Sequence, residues 1–158
     1  MNLTEVRNRP VVDVSTARTV ARVAGVAVDA TTSRIVGFHL DRSEGGDWID
    51  WSDVKALGND ALTVVDLTHL HAAGELEKDL AQRTTKAVGG LVLDDHGFAL
   101  GRLSDLELDE TSGAVTGVVV DSGAHFEGHE LLGVGRYATV VGAALPPPQL
   151  GTAVGPPQ

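Results

Sequence analysis

Apolar residues fall along this chain in short runs, most too short for a buried helix and many rich in β-branched side chains. Such runs, bounded by Gly, Asp, Asn and Ser, predict strands. They cover Pro10 to Val14, Thr19 to Val28, Ile35 to Leu40, Trp48 to Trp51 and Ala61 to Val65. One run breaks the alternation. Val20, Val23 and Val26 are three apart before Val26 and Val28 alternate again. A helix stripe would give that spacing, but an all-valine stripe favours a strand with a bulge and a sharp bend. Leu67, Leu70, Leu76 and Leu80 instead fall roughly on one face between charged positions, which predicts a short amphipathic helix over 67–82, weakened by Gly74.

The pattern then occurs a second time. Val20 to Asp41 aligns without a gap on Leu100 to Asp121, at an offset of 80 residues. Arg22/Arg102, Asp29/Asp109, Thr31/Thr111, Gly37/Gly117 and Asp41/Asp121 are identical, and six further pairs, such as Val20/Leu100 and Ile35/Val115, exchange one aliphatic residue for another. The same phase slip occurs at Leu100, Leu103 and Leu106. A repeated unit of this size is evidence of architecture. The paired glycines, both mid-strand, predict a bend or a close backbone approach. Gly113 suits a left-handed turn position, and Asp94-Asp95-His96-Gly97 predicts another hairpin turn. The expected fold is mainly all-β: two small antiparallel β-barrels in tandem. The expected division is a first repeat over 8–66, a helical linker over 67–84, a second repeat over 85–144 and a flexible Pro/Gly-rich tail over 145–158. A single unit this small is only marginally stable, so packing two together would help both.

Composition narrows the function. The chain has 158 residues, 42% of them hydrophobic and only 4% aromatic, so its cores are aliphatic. The net charge of −10 is shared evenly between the halves. That disfavours direct nucleic-acid binding and anionic membrane surfaces, both of which need clustered Lys and Arg. Without cysteine there is no disulfide, thiolate metal site or Cys nucleophile. No apolar run approaches the ~20 residues of a membrane helix, and the N-terminus lacks a signal-peptide core. The expected location is cytoplasmic.

Gly90 to Asp109, followed by Thr111-Ser112-Gly113 and Val118 to Asp121, resembles the opening half of a PRC-barrel. Ile49-Asp50-Trp51-Ser52-Asp53-Val54 through Ala61 is similar to that family's closing half. The resemblance spans about residues 8 to 143. It implies one small, mostly antiparallel barrel per repeat. The family includes the cytoplasmic domain of the photosynthetic reaction-centre H subunit and the C-terminal domain of a bacterial ribosome-maturation factor. Its characterised members use the barrel as a noncatalytic docking module, so no catalytic residue set carries over. This chain lacks the H subunit's membrane helix, and a second barrel stands where the maturation factor has a different domain.

Candidate chemistry is sparse. His125, Glu127, His129 and Glu130 place two imidazoles and two carboxylates within six residues, a set that could hold a divalent ion, against the plainer reading of a polar loop. His69 and His71 would share a face only on a strand, and the pattern there reads as helix. Gly133-Val134-Gly135-Arg136-Tyr137-Ala138 matches a loose dinucleotide fingerprint, but a β-branched run follows it instead of a helix. Asp94, Asp95, Asp29 and Asp109 suit turn capping better than acid–base work, because no nucleophile accompanies them. Trp48 and Trp51, with the matched Arg22 and Arg102, are candidate partner contacts. The expectation is a nonenzymatic protein-binding or scaffold module without a cofactor, whose partner is another protein or a second copy. The alternatives are a small-ligand or divalent-metal-binding protein and a ribosome-assembly factor acting through protein contacts.

Overall fold

The computed structural model describes residues 1–142; the tail expected over 145–158 lies outside them. The apolar runs become two six-stranded sheets. In repeat one, β1 (Pro10–Asp13), β2 (Arg18–Asp29), β3 (Arg34–Asp41), β4 (Trp48–Asp50), β5 (Val54–Leu57) and β6 (Leu62–Val64) lie in the order β4-β3-β2-β1-β6-β5. In repeat two, β7 (Leu91–Asp94), β8 (Ala99–Leu108), β9 (Val115–Val120), β10 (His125–Glu127), β11 (Leu131–Val134) and β12 (Ala138–Val141) take the order β10-β9-β8-β7-β12-β11. All neighbours are antiparallel except β1/β6 and β7/β12. Among the described residues there are two α-helices, α1 (Leu3–Val6) and α2 (Glu75–Ala87).

Each sheet has to curl. Laid flat, the outer strands of six would stand about 24 Å apart. Yet β4 and β5 are those outer strands, and a single 3-10 turn, Trp51–Asp53, joins them. Three residues span roughly 10 Å at most. Bulges supply the curvature, and they occur at matching places. The β2/β3 register slips between Val23 and Gly25 and between Ala27 and Val28; the β8/β9 register slips between Leu103 and Asp105 and between Glu107 and Leu108. The broken alternation in the sequence marks these bends. At the second bulge of repeat one, the Thr84 hydroxyl accepts the Val28 N–H at 3.2 Å, so the irregular ladder leaves no orphan there.

The linker departs from expectation. The helix occupies 75–87 rather than 67–82, because Gly74 is its N-cap and not an interior residue. Its buried face is Ala81, Thr84 and Ala87, while Leu76 is 85% exposed. The reason is distance. α2 lies against Gly25, where even a Cβ would come within 2.8 Å of the Thr85 hydroxyl, and only small side chains fit such an approach. Residues 67–69 form a 3-10 turn, and His71 pairs as a strand with Trp48. Strand β5, and the division of 125–134 into β10, a 3-10 turn and β11, are further elements that the apolar pattern did not separate.

The two repeats join about a pseudo-twofold axis. The Ile35 N–H donates to the Gly113 carbonyl at 2.7 Å, and the Val115 N–H donates to the Ser33 carbonyl at 2.8 Å. Residue 33 is the counterpart of 113, and 35 of 115, so each strand start pairs with its own equivalent. Ser33 and Gly113 both have positive φ, 53° and 78°. The helices are exchanged across the same axis. α2 precedes repeat two but packs on β2 of repeat one; α1 precedes repeat one but packs on β8 of repeat two. There Asp105, the counterpart of Gly25, accepts the Thr4 N–H at 3.1 Å and the Thr4 hydroxyl. One aliphatic cluster runs through both repeats, from Leu3 and Val11 to Val141.

Gly128 sits in this seam, where a Cβ would come 1.7 Å from the Val115 carbonyl oxygen; Gly133, five residues on, has nothing within 4 Å. Gly128→Ala should therefore cost about 2–3 kcal/mol in urea unfolding, through forced backbone movement. Gly133→Ala should stay within about 0.5 kcal/mol of the parent.

Candidate functional site

The residues singled out from sequence mostly fall in one place, seen twice. Structurally, 48–53 corresponds to 125–130: edge strand, then 3-10 turn. Trp48 is the counterpart of His125, Asp50 of Glu127, Trp51 of Gly128 and Asp53 of Glu130. The tryptophan pair and the His/Glu cluster are thus two versions of one site.

Both versions are built over a mid-strand glycine. A Cβ on Gly37 would strike the Trp48 ring and the Ile49 carbonyl, each at 2.5 Å. Trp48 fills that space, fully buried, and its Nε1–H donates to Asp50 Oδ1 at 2.8 Å. Over Gly117 the space is taken by Glu107 and His125, whose Oε1 and Nε2 lie 2.7 Å apart. The Glu107 carboxylate raises the His125 imidazole above its ordinary range. Glu130 reaches back to accept the Glu127 N–H at 2.8 Å, closing the short turn. Glu127 and His129 instead line an open cleft of about 460 Å³ beside the pseudo-twofold axis, with Thr31, Thr32, Arg34 and Thr116. His125, Glu127, His129 and Glu130 are therefore spread over two environments rather than gathered round one point.

Trp51 lies on one side of the pseudo-twofold axis only. It packs tilted on Phe38, with ring centroids 6.2 Å apart, and covers Gly113 of the other repeat. Its counterpart is Gly128, whose backbone packs directly against the Val115 carbonyl. Arg22 and Arg102 have matching structural roles. Their Nη1 atoms donate to the carbonyls of Asn8 (2.8 Å) and Gly89 (3.2 Å), the positive-φ residues leading into each repeat.

The edges themselves differ. In repeat one the linker lies on β4: the Trp48 N–H donates to the His71 carbonyl at 2.9 Å, and the His71 N–H to the Trp48 carbonyl at 3.0 Å. Asp47 accepts the Ala73 N–H at 2.7 Å, a bond that holds its carboxyl below the usual range. Gly46 makes room, since a Cβ there would fall 2.0 Å from the His71 carbonyl carbon. His71 is thus on a strand-like segment rather than a helix, and it faces Asp50, while His69 faces Asp53. In repeat two, β10 is the sheet edge and no described residue bridges to its outer side.

The remaining motifs resolve as turns. Asp29 and Asp109 accept the N–H groups of Thr31 and Thr111, and Asp94 accepts those of His96 and Phe98. The glycine-rich Gly133 to Ala138 stretch spans the β11–β12 hairpin. Among the described residues no helix is long and apolar enough to cross a membrane. Compared with models of known protein families and with curated proteins, the sequence matches none.

A titration of His125 followed by NMR should give a pKa above the ordinary imidazole value of about 6.5. Glu107→Gln should bring it down. Because the folded pKa is the raised one, the pair's contribution to stability is complete below the unfolded pKa and fades as pH rises through the folded value. An unchanged His125 pKa in Glu107→Gln would show that the pair does not form.

Proposed function

We propose that this chain is a noncatalytic protein-binding module built from two PRC-type barrels, and that β10 with its adjoining cleft is where an extended segment of a partner docks. The observation that supports this is the filled edge of repeat one. There the protein's own linker adds to β4 through a reciprocal pair of main-chain bonds at Trp48 and His71. By the shared register, the His125 N–H and C=O face outward as those of Trp48 do. An added strand gains main-chain hydrogen bonds for affinity and side-chain pockets for selectivity, and the 460 Å³ cleft next to Glu127 supplies such a pocket. Glu107, Glu127 and Glu130 make this edge acidic, so the fitting partner strand carries Lys or Arg.

Capture from native lysate under physiological salt, followed by mass spectrometry, tests this. His125→Pro removes the outward N–H and should reduce capture of a specific protein at least about tenfold, with the rest of the NMR spectrum preserved. Glu127→Lys should weaken the same interaction, and raised salt should mimic it. Capture indifferent to both substitutions, or co-purification of a small metabolite alone, would overturn the proposal.

A further inference from the structure

We propose that Asp50, His71 and Glu77 form a site for a first-row divalent transition ion of the Zn²⁺ class, on the face of repeat one where the linker crosses β4. Among the described residues this is the one group of three or more His, Asp or Glu side chains whose donor atoms all lie within 4.8 Å of one another. The site is separate from the β10 edge and does not depend on the binding function proposed for it.

Three independent elements converge here. Asp50 ends β4, His71 lies in the linker strand, and Glu77 is in the first turn of α2. Each side chain has one atom already engaged and another left over. Asp50 Oδ1 accepts the Trp48 indole N–H at 2.8 Å, leaving Oδ2. Glu77 Oε1 accepts the Gly74 N–H at 2.7 Å, leaving Oε2. His71 Nδ1 lies 3.0 Å from the Ala72 carbonyl, and because a carbonyl can only accept, Nδ1 carries the proton. In the neutral imidazole that leaves Nε2 bare, the form a metal requires. Anchoring the far nitrogen of a histidine ligand on a carbonyl is how metal sites commonly orient it.

The spacing is that of an open ion pair, and it is also the spacing of two ligands on one ion. His71 Nε2 and Asp50 Oδ2 are 3.6 Å apart, too far for a hydrogen bond. The same protein shows what a closed imidazole–carboxylate pair looks like, at 2.7 Å between His125 and Glu107. Two ligands around one tetrahedral ion, each about 2.1 Å from it, stand roughly 3.4 Å from each other. A mixed imidazole–carboxylate set without thiolate suits Zn²⁺, Mn²⁺, Co²⁺ or Ni²⁺ better than Mg²⁺ or Ca²⁺. Three protein ligands would leave a position for water. The ion would tie the start of α2 to the edge of repeat one, reinforcing the segment that links the repeats.

The test uses the full chain without a polyhistidine tag, stripped with chelator and titrated with ZnCl₂ by calorimetry. One equivalent should bind, with thermal stabilisation. His71→Ala and Glu77→Gln should each weaken binding at least about tenfold. Circular dichroism should be unchanged, and His129→Ala should bind as the parent does. Zn²⁺ should shift the His71 Nε2 resonance in parent protein. No saturable binding below about 100 µM Zn²⁺, or binding lost in His129→Ala but kept in folded Glu77→Gln, would overturn the assignment.

Discussion

Everything in this molecule hangs on the exchange of two main-chain hydrogen bonds between Ser33–Ile35 and Gly113–Val115. Each of these residues meets its own counterpart, which is the contact two identical chains make in a twofold dimer. Here the two partners are halves of one chain. The bonds sit at the starts of β3 and β9, beside the most strongly bulged part of each sheet, and the aliphatic core is continuous through the join. A unit of roughly 60 residues holds only a small core of its own, so this shared burial is what makes two such small sheets sufficient.

The exchanged helices strengthen the same join. Each helix is covalently part of one repeat and packed on the other, so pulling the repeats apart would strip both at once. Their C-terminal exits match: Arg9 N–H bonds to the Val6 carbonyl, and Gly90 N–H to the Ala87 carbonyl. Where they touch the sheets, the repeats diverge. Gly25 lets α2 come close, whereas Asp105 holds the shorter α1 by its orphan first-turn N–H. α2 also reaches repeat two, through Arg83 to the Val134 carbonyl and Asp79 to Arg136.

The β content, the duplication and the bends were legible because they are written locally. β-branched runs mark strands, the phase slips at Val23 and Leu103 mark bulges, and paired acids mark turns. The linker was misread because its leucines do not share one helix face: Leu70 is buried ahead of α2 while Leu76 is exposed, and α2 is selected by how closely it approaches Gly25, a property of the partner surface. The candidate sites were harder still. Asp50, His71 and Glu77 are close only because residue 71 pairs with residue 48, and no pattern in either segment announces that pairing. Trp48 to Asp53 and His125 to Glu130 look unrelated by composition, yet the shared strand–turn frame makes them equivalent.

That equivalence shows where the two repeats differ. What the repeats share, the arginine–carbonyl anchors, the turn aspartates and the mid-strand glycines, is used up in making the fold. What they do not share includes the helix contacts at Gly25 and Asp105 and the edge strand with the turn after it. Repeat one has filled its version: Trp48 occupies the space over Gly37, Trp51 seals the seam against Gly113, and the linker covers the edge. Repeat two has a charged pair over Gly117, a glycine where the sealing tryptophan would be, and an edge that no described residue covers. The exchange of tryptophan for glycine between 51 and 128 is one part of that difference: Trp51 lies over Gly113, whereas the Gly128 backbone itself packs against the Val115 carbonyl.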